Sequence, residues 1–195
     1  MADGESTKAR ILGEARDLYV DSGFARFSLR EVARRVGVSA PAVYRHFDSK
    51  EALLGEVCAA GFRHFGSYLL RALAEPTPRA RLVRSGELYQ RFALENPRDY
   101  RVIFMGDAEF FLEKNALKGN PDATFQFLID RVRECMQARI LKKRDETEVA
   151  TIIWAHVHGL VSLRLSGHLQ QVGDDAAFAR FHAHSVDRLL AGLAP

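Results

Sequence analysis

Phe27-Ser-Leu-Arg-Glu-Val-Ala-Arg-Arg-Val-Gly-Val-Ser-Ala-Pro-Ala-Val-Tyr-Arg-His-Phe-Asp-Ser-Lys-Glu-Ala-Leu-Leu54 is the stretch that decides the fold. Ser28-Leu-Arg-Glu31 reads as a capping box, in which the Ser28 hydroxyl and the Glu31 carboxylate satisfy free amides at a helix start. That helix is short and ends at Gly37, since glycine takes the left-handed conformation of a helix end without strain. Ser39 caps a third helix that tolerates Pro41 in its first turn. Asp48-Ser-Lys-Glu51 is a second capping box and opens a long helix, expected over 49–73, which Pro76 and Pro78 terminate. Upstream, Ile11, Leu12, Ala15, Leu18 and Tyr19 recur with the helical period until Gly23 stops them.

Three short helices with a Gly37-Val-Ser39 link form a helix-turn-helix. Val32, Val36, Val38, Val43 and Phe47 are spaced to share one core, and Ala33 is small where the third helix approaches. Ala40, Pro41, Ala42, Tyr44, Arg45 and His46 then face outward. A seven-residue helix is about 10 Å long, short enough to enter a major groove about 12 Å wide. Helix N-termini carry free amides and positive dipole charge that suit phosphate oxygens. Ser28 and Lys50 sit at two such ends, flanking the third helix as backbone clamps while it supplies base readout. The candidate DNA contacts are Ser28, Arg30, Ser39, Ala40, Pro41, Ala42, Tyr44, Arg45, His46 and Lys50.

Charge agrees with this placement. Arg26, Arg30, Arg34, Arg35, Arg45 and Lys50 face only Glu31 and Asp48, a surplus of four, which leaves about −1 for the rest of a chain of net charge +3. A basic end on a near-neutral body is the asymmetry of a nucleic-acid reader.

At 195 residues, with 47% hydrophobic and 27% charged side chains, the chain belongs with ordinary globular proteins and not with disordered or fibrous ones. Its longest apolar run, Ile152 to Leu165, is broken by His156, His158 and Arg164, short of the roughly 18 residues of a membrane span. The N-terminus lacks a signal pattern, so a cytoplasmic location is expected. Cys58 and Cys135 read as small buried hydrophobes in a reducing compartment.

Beyond the first domain, placed at 1–50, residues 51–195 read as a ligand-binding and dimerisation bundle, making an all-α protein of about nine helices. One helix carries Leu82, Leu88, Tyr89 and Phe92 and ends at Asn96-Pro97, and a short one follows through Phe104. Gly119-Asn-Pro121 is a turn, and Phe125, Leu128, Ile129, Val132, Met136 and Ile140 mark the next helix. The helix over 146–168 is apolar on most sides and must be covered on both. The final helix, 175–193, carries Phe178, Phe181, Val186, Leu189, Leu190 and Leu193 on one side. Together they suggest a four-helix interface between two copies.

Phe62, Phe65, Phe92, Phe104, Phe110, Phe111, Phe125, Phe127 and Trp154 serve either as plain core or, in part, as the wall of an apolar pocket. Gly61 and Gly66, inside the long helix, allow a kink or leave room for a ligand. The candidate effector contacts are Phe62, Phe65, Phe92, Phe104, Phe127, Trp154 and His158, the last as one polar contact or as a hydrogen-bonded core residue. His156 and His158, like His182 and His184, are two apart and point to opposite helix faces, so no metal site is expected. No cofactor is expected either.

The stretch from Phe27 to Leu54, with its surroundings from residue 8 to 60, resembles the N-terminal signature of TetR-family transcriptional regulators through its caps, Gly37, Val43-Tyr-Arg-His-Phe47 and Ser49-Lys-Glu51. The resemblance implies an all-α homodimer with two helix-turn-helix heads and a small-molecule site in the C-terminal bundle. By position it implies that Tyr44, His46 and Lys50 touch phosphates and that Ala40, Pro41 and Ala42 face bases or thymine methyls. Arg45 matches a position that varies in the family. Trp154-Ala-His-Val-His-Gly159, with Glu95-Asn-Pro97, is similar to the Trp-His-Gly type of C-terminal domain in some of these regulators. The expected function is a ligand-released repressor that binds a pseudopalindromic operator as a dimer.

Two other classes compete. An all-α carrier or enzyme with a basic three-helix cap would need chemistry that no local nucleophile–base pair, phosphate-cradling loop or metal spacing supplies. An architectural DNA binder would show little sequence preference and no effector response.

Overall fold

A computed structural model describes residues 6–106 and 121–195. Phe110, Phe111 and the Gly119–Asn120 part of the expected turn lie outside these. Among the described residues there are nine α-helices, two short 3-10 turns and no strand. They fall into two compact units, divided between His64 and Phe65, between Pro97 and Arg98, and between Pro121 and Asp122. The sequence had placed its domain boundary at residue 50.

In the first unit, α1 (Thr7–Arg26) starts at Ser6, whose hydroxyl accepts from the Ala9 N–H at 3.2 Å. Gly23 breaks the helix with φ 72°, and one more helical turn then continues to Arg26. α2 (Leu29–Val36) ends on Gly37 at φ 77°, a left-handed conformation that a Cβ would strain. α3 is Ala40–Tyr44, five residues where seven were expected. The N–H groups of His46 and Phe47 both bond to Val43 O, at 2.9 and 3.0 Å, and carry the turn to the next helix. Ile11, Ala15, Leu18, Val32, Ala33, Val36, Val43 and Phe47 are buried as the common core of the head. Val38 is half-buried.

α4 is Lys50–Leu70, and a 3-10 turn over Arg71–Ala74 completes the helix expected to Leu73. Its cap is Ser49 and not Asp48, for it is the Ser49 hydroxyl that accepts from the Ala52 N–H at 3.1 Å. α6 (Pro97–Phe104) returns to the same unit. A Cβ on Gly61 would lie 2.7 Å from Ile103 Cγ2, so this glycine lets α6 seat closely on α4. The space attributed to a kink or ligand is filled by Ile103. Asp99 ties the seat together, accepting from Arg16 at 3.0 Å and lying 2.9 Å from His64 Nδ1, while Arg98 reaches Asp21 at 2.9 Å.

The second unit holds α5 (Pro78–Glu95), α7 (Pro121–Gln137), α8 (Glu146–Leu165) and α9 (Asp175–Gly192). Side-chain caps at Thr77, Asp145 and Asp174 start α5, α8 and α9. α5, α8 and α9 pack on one another. Val149, Ile153, Val157 and Val161 form the buried stripe of α8, at the four-residue spacing that lines up one face. Ile152, Trp154 and Leu163 of α8 are exposed, and so is Phe181 of α9. No helix among the described residues is long and apolar enough to cross a membrane.

Candidate nucleic-acid interface

α3 is held from one side only. Val43 and Phe47 are buried beneath it, Ala40 and Ala42 are half-buried, and Pro41, Tyr44 (49% exposed), Arg45 and His46 stand in solvent. The structure therefore brings the predicted reading residues to one outward face. Ser39 occupies the cap position but its hydroxyl caps nothing. Pro41 has no N–H to offer, and the Ala42 N–H bonds to the Ser39 carbonyl at 2.9 Å, so the hydroxyl is left pointing to solvent.

Ser28 does cap α2, accepting from the Glu31 N–H at 3.2 Å. The other half of that capping box does not close. Two hydrogen bonds from Arg34, at 2.8 and 2.6 Å, and one from Arg35 at 3.3 Å hold the Glu31 carboxylate instead. These, Arg34 foremost, bring Glu31 down to about 2. The basic surplus of the segment is consequently less free than its count suggests. Arg30 stays exposed beside Ser28. Lys50, at the start of α4, places its ammonium 3.9 Å from the Phe24 ring centroid, a cation–π contact with the end of α1. Arg10 was missed from the sequence: its guanidinium donates to Val36 O at 2.6 Å and closes the end of α2 just before the turn.

The predicted effector contacts divide into two groups. Phe62 and Phe104 meet edge to face at 5.9 Å in the first unit, together with Tyr100. In the second unit Phe65 lies 5.4 Å from Tyr89 and 5.1 Å from Phe92. The Tyr89 hydroxyl is 2.9 Å from His158 Nδ1, and the His158 ring lies tilted against Trp154 with centroids 5.6 Å apart, while Trp154 also meets Phe125. Burial holds His158 below its ordinary pKa, so it is neutral near pH 7. Phe127 is engaged elsewhere, with the Arg131 guanidinium 4.6 Å from its ring. Tyr89, the polar partner of His158, is read from the sequence only as one of the positions marking its helix; 69 positions separate the two, and no local pattern links them. Among the described residues, no three His, Cys, Asp or Glu side chains gather to hold a metal ion.

Residues 11–57 match the family described as bacterial regulatory proteins, tetR family, and residues 82–189 match the tetracyclin repressor-like C-terminal domain. The HTH-type transcriptional activator FasR of Mycolicibacterium smegmatis is 32% identical over 104 residues, 53% of this chain and 48% of FasR. An HTH-type transcriptional repressor of Mycobacterium tuberculosis is 38% identical over 74 residues, 38% of this chain and 37% of that one. The chain thus spans about half the length of the first of these relatives and about a third of the second. The structure of the TetR-family regulator PfmR from Thermus thermophilus shares the fold, with a TM-score of 0.71 at 22% identity over 95% of this chain and 100% of PfmR. With its head and more than half of its length matched in this way, the chain belongs to the tetR family of bacterial regulatory proteins.

Proposed function

We propose that this chain is a non-enzymatic, DNA-binding transcriptional regulator that occupies a pseudopalindromic operator as a homodimer and is released by a small, largely apolar effector. The observation that carries the reading is α3 itself, a helix anchored by Val43 and Phe47 that offers its other side chains to solvent. Tyr44, His46, Ser39, Ser28, Arg30 and Lys50 surround it with donors for phosphates. Ala40, Pro41 and Ala42 form its low apolar front.

Dimerisation supplies the second head. Ile152, Trp154, Leu163 and Phe181 leave exposed apolar surface on α8 and α9, the two helices expected to pair with those of another copy. Two reading helices in successive major grooves then stand about 34–36 Å apart. The effector belongs with the Phe65, Tyr89, His158 and Trp154 line, where aromatic faces adjoin one polar pair. Phe65 lies on α4 and Lys50 begins it, so tilting this helix would change the spacing of the heads. Such coupling amounts to about 5- to 150-fold in affinity, provided the effector prefers the DNA-incompetent state. Repression needs nothing beyond occupancy of the DNA, whereas activation needs a further surface for the polymerase. A protein acting on bacterial DNA works in the cytoplasm.

Purified protein mixed with random duplex DNA tests the reading. Recovery of an inverted repeat bound by two copies is the expected result. A single copy indifferent to sequence overturns it.

A further inference from the structure

The cations between residues 26 and 50 are not equally engaged. Arg34 and Arg35 hold Glu31, Arg26 donates to Ser22 O, and Lys50 lies over Phe24. Among the described residues of that segment, Arg30 on α2 and Arg45 at the end of α3 are the cations with no such partner. Arg45 follows Pro41 by one turn, and its own N–H bonds to Pro41 O at 3.1 Å. Its side chain therefore leaves α3 on the face that carries Pro41.

That face is otherwise chemically silent. Ala40, Pro41 and Ala42 hold no side-chain donor or acceptor, so they distinguish bases only by apolar contact with a thymine methyl. Tyr44 contributes a single hydroxyl. His46 leans on Phe47, ring centroids 6.3 Å apart. Only the guanidinium presents the planar fork of donors that pairs with O6 and N7 of guanine together.

We infer that Arg45 reads a guanine in each operator half-site, with thymine methyls against Ala40–Ala42 close beside it. The inference rests on the DNA-reading role proposed above and adds the base that is selected. Four residues of helix advance about 6 Å, so the guanine lies within about two base-pair steps, each about 3.4 Å, of the thymines. The short side chains of Ala40 and Ala42 let α3 approach the groove floor closely enough for a long arginine to reach it squarely.

The test compares full-length wild type, Arg45→Lys and Arg45→Ala on duplexes selected by the wild type. An inverted repeat with one G·C pair at a constant position per half-site is expected, and exchanging that pair for A·T weakens wild-type binding by about 5- to 150-fold. Arg45→Lys keeps the charge and the salt dependence but loses the planar fork, so its preference at that pair weakens. Arg45→Ala has no donor there and loses the preference altogether. The inference is overturned if both variants keep the preference, or if Arg45→Ala flattens the salt dependence by about one unit per protomer as a phosphate clamp would. A wild type that selects no sequence at all fails earlier, at the DNA-reading role, and is thereby told apart.

Discussion

Replacing His182 by leucine should remove a large part of the acid sensitivity of the second unit. His182 lies on α9 with 1% of its surface exposed, and neither ring nitrogen has a hydrogen-bond partner among the described residues. A Cβ on Gly86 of α5 would stand 3.9 Å from its ring, and the Phe178 ring is 6.2 Å away. Burial first, and the charge of His156 second, push it down to about 4 from an ordinary 6.5. The unfolded chain therefore takes up this proton below pH 6.5, while the folded chain refuses it until about pH 4. Between those values the unfolded state binds more protons, so stability falls as the pH falls. The gap corresponds to about 3 kcal/mol at full extent, most of which is lost between pH 7 and pH 4.5. That is a large share of the roughly 5–15 kcal/mol that stabilises a domain. Urea titrations at pH 7 and 4.5, at one protein concentration because dimers are stabilised by mass action, give the two slopes. Carboxylates titrate in both proteins alike, so the difference isolates the imidazole. The leucine variant should also be more stable at pH 7 by about 1–3 kcal/mol, since it no longer buries unpaired nitrogens. Parallel losses in the two proteins would refute the reasoning.

Lys50→Ala should lower the slope of log affinity against log salt by about one unit per protomer and leave sequence preference unchanged; an unaltered slope removes Lys50 from the phosphate contacts. Gly61→Ala gains about 1 kcal/mol of helix propensity but drives a Cβ to 2.7 Å from the stiff Ile103 Cγ2. Overpacking of this kind costs about 1–3 kcal/mol, so a lower Tm is expected, with the loss shrinking when Gly61→Ala is made in an Ile103→Ala background, and a raised Tm in the single variant contradicts the packing argument. Ile152→Glu together with Leu163→Glu places charge on the exposed apolar face of α8 and should yield monomers in sedimentation, with operator affinity lost and the helical spectrum retained. Dimers that survive both charges would locate the subunit contact elsewhere.

The head was legible because its determinants are local. Gly37 needs a left-handed turn, Val32, Val36, Val43 and Phe47 recur at core spacing, and Ser28 lies three residues from the amide it caps. Even here, sequence patterns name a competence and not its outcome. Glu31 was suited to close a capping box and was captured by Arg34, three residues on, where a charged donor outcompetes a backbone amide. Ser39 was suited to cap α3, but the Ala42 N–H three residues on bonds to its carbonyl and Pro41 has no N–H to offer in its place. Patterns failed altogether where partners are distant. Arg16 meets Asp99 across 83 positions, and Tyr89 meets His158 across 69. Both are polar contacts between helices, whose spacing along the chain carries no period.

This difference in range bears on how the two parts work. A reading helix of five residues cannot hold its own shape, because helix formation has a costly nucleus. Its geometry has to be imposed by the turn, by caps and by a small core, and those are short-range devices that the sequence displays. An effector site has no such requirement. The proposed site draws instead on polar groups converging from separate helices, as Tyr89 of α5 and His158 of α8 do, so that a molecule lodged there would act on several elements together. The contact pattern proposed to suit α3 for reading is therefore visible along the chain, and the one proposed to suit the second unit for sensing emerges only when the helices pack.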